Sequence, residues 1–188
     1  MFEYVLSIAW YLISKRQGDI LEYMNLSLEA DLLPKTHASG GGADIEYLYE
    51  KTVNYPEHCL LIEATLSDKT NQRRMEMEPV SRHLGDYILK TDDQNAYCVF
   101  ISTFLHINVV SDFRNRKTYP YFSNDGAKSV DGLKILPFQT SELKRVLEKG
   151  LTYKELYGVF DGAYKSEVDV RAWYEAEIWG KLNLGFKK

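Results

Sequence analysis

A chain of 188 residues fits one domain and is long enough to bury a core. Its content, 45% hydrophobic and 27% charged with 12 Gly and 5 Pro, excludes long disorder. The net charge of −4 argues against a module that grips duplex nucleic acid unaided, because phosphate neutralisation by Lys and Arg supplies most of such affinity.

Residues 2–15 read as a helix that begins with Glu3 and ends in Lys15 and Arg16. A membrane span needs roughly 20 apolar residues, and a secretory signal carries its positive charge first. A buried first helix is therefore the expectation. After Gly18, the residues Ile20, Leu21, Met24, Leu28 and Leu32 fall at helical spacing and stop at Pro34, which predicts a second helix. A polar loop over 34–42 closes in Gly40-Gly41-Gly42. It is not a phosphate-binding loop, since no Gly-Lys-Ser/Thr follows and a strand, not a helix, comes next. Two strand-like runs, 43–49 and 58–66, are joined by a turn around Asn54-Tyr55-Pro56.

The charged segment 68–89 reads as helix, with Pro79 as a kink or restart. Residues 96–104, rich in β-branched and aromatic types, read as a buried strand. A short helix over 108–117, a strand over 132–138 and helices from Thr140 onward complete the chain, with Trp173, Tyr174 and Trp179 near its end. This order implies an α/β fold with a mixed central sheet covered by helices on both faces. With no linker or repeat in view, residues 1–188 read as a single domain. Cys59 and Cys98 form no CxxC pair and read as reduced core thiols of a cytoplasmic protein. The fourteen tyrosines suit half-wet surfaces, where a ring packs and a hydroxyl reaches a polar group.

The chemistry concentrates in the first hairpin. Folding its strands about the Val53–Asn54 bond sets Asp44 opposite Glu63, or within one residue of it. Directly opposed residues have Cβ atoms roughly 4.5–5.5 Å apart. Two carboxylates at that separation repel, so a shared proton or a bound cation must offset them. A hard divalent ion takes oxygen ligands of this kind. Glu63 is the sharper signal, because it lies within the apolar run Cys59-Leu60-Leu61-Ile62-Glu63-Ala64. On the following helix Gln72, Glu76 and His83 return to one face. Two basic islands, Arg73-Arg74 with Arg82 and Arg114-Arg116-Lys117, have the size to hold a few phosphates. His37, His58 and His106 show no zinc-ligand spacing.

Gly41-Gly42-Ala43-Asp44, Leu61-Ile62-Glu63-Ala64-Thr65-Leu66, Gln72, Met75-Glu76-Met77-Glu78-Pro79-Val80 and Arg82-His83-Leu84, in that order, resemble the AlwI-like group of type IIS restriction endonucleases within the PD-(D/E)XK nuclease superfamily. The resemblance implies a Mg²⁺- or Mn²⁺-dependent nuclease in which Asp44 and Glu63 take the two acidic positions and Ala64 offers its carbonyl to the metal. Glu76 and His83 would assist. Thr65 stands where the superfamily motif has lysine, so the water must be oriented by Glu76, His83 or Lys69. An early-helix glutamate joins the site in many members; Glu22 fits best and Glu29 second. The resemblance further implies the small cleavage subunit of a heterodimer. Its partner would be a large nicking subunit that recognises double-stranded DNA, since the chain has no room for a recognition region of its own.

Overall fold

The computed structural model describes residues 1–35, 41–67 and 69–184. His37 and Gly40, singled out above, lie outside the described residues, as does the side chain of Lys69. The first helix, α1 (Phe2–Ile13), forms as expected and buries Leu6, Trp10 and Ile13. The second is far shorter than its periodicity predicts. Only α2 (Ile20–Tyr23) is helical, started by the Asp19 carboxylate, which accepts from the Leu21 N–H. Met24 then turns extended and bridges Ile45, while the Asn25 N–H donates to the Asp44 carbonyl. Pairing with the sheet edge satisfies this backbone, and the apolar side chains that mimicked a helical stripe, Leu21 and Leu32, stay exposed.

Strands β1 (Ile45–Tyr49) and β2 (His58–Thr65) pair antiparallel, with Ile45 against Ile62 and Tyr49 against His58, the register read from the sequence. A helix pair follows, α3 (Lys69–Met75) and α4 (Met77–Thr91). The break falls at Glu76, and Pro79 sits in the first turn of α4, where its missing N–H costs nothing. Strand β3 (Tyr97–Ser102) joins β2 in parallel. Helix α5 (Ile107–Asn115) then leads to a small hairpin of β4 (Tyr121–Phe122) and β5 (Ser129–Val130), which the pattern analysis does not anticipate. It leans on α4: the Tyr121 ring occupies the space a side chain at Gly85 would need, and its hydroxyl donates to Asp86. Strand β6 (Ile135–Gln139) pairs in parallel with β3, completing a mixed sheet of order β1-β2-β3-β6. The C-terminal helices are α6 (Thr140–Lys149), α7 (Tyr153–Lys165), α8 (Val170–Trp173), a π-helical turn (Tyr174–Trp179) and α9 (Gly180–Leu184).

Alternation along the strands sends successive side chains to opposite faces. Leu60, Ile62, Val99 and Ile101 join Trp10, Val146 and Phe160 beneath α1, α6 and α7. Cys59, Leu61, Cys98 and Phe100 join Leu84 of α4 and Phe113 of α5 on the other side. Glu63 follows the second set, so its carboxylate enters the face covered by α4. Both cysteines are free and buried.

Four tyrosines depart from the half-wet expectation. Tyr47, Tyr49, Tyr97 and Tyr153 are fully buried. Tyr49 and Tyr153 stack with ring centroids 3.5 Å apart. Their hydroxyls are satisfied internally: Trp10 donates to Tyr49 at 3.0 Å, and Tyr97 and Tyr153 share a bond of 2.6 Å. His58 sits in this cluster, bonded to the Tyr153 hydroxyl and the Pro56 carbonyl, so it is a core residue. Trp173 is buried too, donating to the Ala163 carbonyl. Among the described residues, no helix is long and apolar enough to cross a membrane.

Candidate active site

The hairpin register, carried one residue past Ile45–Ile62, sets Asp44 against Glu63 on the α4 side of the sheet. Asp44 Oδ2 accepts the Ala64 N–H at 2.8 Å, which ties the end of β1 to the neighbouring strand. Glu63 is only 8% exposed. His83, half-buried in the second turn of α4, donates from Nδ1 to Glu63 Oε1 at 2.7 Å. Thr65 donates to Glu76 Oε1 at 2.7 Å and accepts the Ser67 N–H at 3.0 Å, so it holds the corner between α3 and α4. Asp44, Glu63, Glu76 and His83 thus converge on the carboxyl end of β2.

The electrostatics follow from that geometry. Burial first, and the Glu63 charge second, push Asp44 from an ordinary carboxylate value up to about 7. Burial also raises Glu63, opposed by the hydrogen bond and charge of His83. The bond to Glu63 raises His83 in turn, favouring the imidazolium. Protein without metal therefore offsets the carboxylate repulsion with a proton near Asp44 and a histidine against Glu63.

Whether the site fits a metal rests on its donors. Among the described residues, no group of three or more His, Cys, Asp or Glu side chains is gathered into a complete ligand set. What is present is a pair of hard oxygen donors whose mutual repulsion a cation relieves, and the hydrogen bonds to Ala64 and His83 engage one oxygen of each. Such a pair fits a Mg²⁺ ion that keeps several waters or takes phosphate oxygens as its remaining ligands.

Other expected participants stand elsewhere. Glu22 and Glu29 are exposed on the segment around α2. The charges that bear on Asp44 come from Glu63, Glu3 and Glu76, so the early-helix glutamate whose charge reaches Asp44 is Glu3, in the first turn of α1. Gln72 is fully buried and points away from the chemistry. The two hydrogens of its amide are shared among the Ser67 carbonyl, the Ser102 hydroxyl and the Phe104 carbonyl, and its oxygen accepts the His106 N–H. His106 caps α5 by accepting from Asn108.

The basic islands separate. Arg114 is buried, bonded to the Ser166 carbonyl with its guanidinium 5.3 Å from the Trp173 ring centre. Arg116 pairs with Asp112, and Lys117 with Glu167. Arg73 and Arg74 are exposed on the last turn of α3.

Residues 1–146 match the family model described as AlwI restriction endonuclease. The chain belongs to the AlwI restriction endonuclease family. In three dimensions it is similar to the small subunit (R.BspD6I2) of the heterodimeric restriction endonuclease R.BspD6I, with a TM-score of 0.68 and 18% identity over 99% of this chain and 89% of that one. At that identity the similarity establishes a shared fold. A comparison with curated proteins finds no match. The AlwI-family span contains the whole of the Asp44, Glu63, Glu76 and His83 constellation, whereas the C-terminal helices from Gly150 onward fall outside it.

Proposed function

We propose that this AlwI-family chain is the cleavage subunit of a heterodimeric type IIS restriction endonuclease. It hydrolyses a phosphodiester on one DNA strand with Mg²⁺ or Mn²⁺, directed to its site by a large DNA-recognising nicking subunit. The observation that carries the reading is the opposed pair of half-buried Asp44 and buried Glu63 at the end of a central strand.

Asp44 and Glu63 would hold one cation, with the Ala64 carbonyl beside them; Glu76 would help to hold a second. When bound, the ion lowers the pKa of its water and neutralises charge developing on phosphorus. His83 fixes the Glu63 carboxylate by donating to it, which commits its Nδ1. Glu76, anchored by Thr65, is the better placed group to orient the attacking water in the absence of a lysine. One such site cuts one strand, so a double-strand break needs a second site from the partner. The net charge of −4 and the internal pairing of Arg114, Arg116 and Lys117 support a division of labour in which another chain supplies most of the DNA affinity.

The test is a strand-resolved cleavage assay on the chain co-expressed with candidate large subunits. Asp44→Ala or Glu63→Ala should abolish cutting of one strand while the other is still nicked. Unchanged double-strand cutting by either variant overturns the assignment.

A further inference from the structure

We infer that Arg73, Arg74 and Arg82 form the ridge by which this chain grips the sugar–phosphate backbone of duplex DNA beside the cleavage site. The inference rests on the nuclease reading above and adds the contact surface to it. Three observations carry it. The first is elimination: the other arginine-rich segment is consumed internally, by the Ser166 carbonyl, Trp173, Asp112 and Glu167. The second is availability. Arg73 and Arg74 are exposed, and among the described residues neither meets a carboxylate. Arg82 engages only Nε, in an ion pair with Glu78 that is itself exposed, the kind worth little and easily exchanged for a phosphate.

The third observation is placement. Arg82 precedes His83, and its charge bears on both His83 and Glu63. Arg73 and Arg74 directly follow Gln72, whose four hydrogen bonds pin that turn of α3 to the ends of β2 and β3 and the start of α5. The cations are thus presented on a fixed backbone, so ordering them on DNA costs side-chain entropy alone. Such contacts carry no sequence information, in keeping with recognition residing elsewhere.

The test measures equilibrium binding of the isolated chain to a fluorescent duplex of arbitrary sequence, in EDTA, as salt is raised from low ionic strength. Each phosphate contact adds about 0.9 to the slope of log affinity against log salt. The variant Arg73→Ala/Arg74→Ala/Arg82→Ala should flatten that slope by about 2 to 3. The control Arg116→Ala/Lys117→Ala should leave it unchanged. An unaltered slope in the triple variant, an equal loss in the control, or no salt-dependent binding by the unmodified chain overturns the ridge. Because no cleavage is measured, the ridge survives if Asp44→Ala leaves cutting intact and falls alone if only the slope fails to change.

Discussion

Replacing Asp44 with Asn should stabilise the metal-free protein, and by an amount that depends on pH. Asp44 is pushed from 3.8 to about 7 by burial and by Glu63. A carboxyl whose folded pKa lies above its unfolded value binds its proton more tightly in the folded state. The stability it confers is complete below pH 4 and is lost as pH rises towards 7 and through it. The full displacement corresponds to about 4 kcal/mol. Partial solvent access and relaxation around Asp44 reduce the measurable part to about 2 kcal/mol. Asparagine is neutral throughout and retains an oxygen for the Ala64 N–H. Urea denaturation in EDTA should therefore show Asp44→Asn matching the parent at about pH 3.5 and exceeding it by about 2 kcal/mol at about pH 8, or roughly 4–8 °C in Tm for a chain of this size. Saturating Mg²⁺ should reverse the order at pH 8, since only the parent gains from binding the ion. A gap that is absent at about pH 8, or the same at both pH values, refutes the claim that burial, with the Glu63 charge added to it, disfavours the Asp44 carboxylate when no metal is bound.

Two further substitutions test the supports of the site. Gln72→Leu leaves Ser102, the Phe104 carbonyl and the His106 N–H without their shared partner, and should cost about 3 kcal/mol in urea denaturation; a change within about 0.5 kcal/mol would contradict the clamp. Thr65→Val keeps the side-chain shape but removes the donor to Glu76. It should lower kcat about tenfold with little loss of stability, whereas Thr65→Ser should retain activity. Equal activity in the Val and Ser variants would detach Thr65 from the water-positioning role.

The hairpin is legible because its register is set locally: a single loop between adjacent strands and a clean alternation at Ile45, Tyr47 and Tyr49 leave one pairing that buries the right side chains. That same register placed Asp44 opposite Glu63, so the acidic centre could be read without the fold. The 20–32 segment departs from its pattern for the opposite reason. Its leucines keep helical spacing, but its backbone is claimed by Ile45 and Asp44, more than a dozen residues away. Gln72 is legible as a special residue but not in its role, because the groups that enclose it come from the end of β3 and the start of α5; Glu3, whose charge reaches Asp44 from α1, leaves no local signal. The β4–β5 hairpin carries a local signal only in its turn: Asn124-Asp125-Gly126 is turn chemistry, and Gly126 takes a positive φ, but the two-residue strands beside it are too short to show a pattern. The buried tyrosines show a limit of composition, which counts hydroxyls but does not reveal that they bond to one another.

The central claim is that Asp44 and Glu63 share a divalent cation. A crystal of the protein soaked in Mn²⁺ and measured for anomalous scattering should show a peak between the two carboxylates, lost in Asp44→Asn. Carboxylates that point apart with no anomalous peak, while Mn²⁺-dependent cleavage persists in the same preparation, would place the chemistry elsewhere in the molecule.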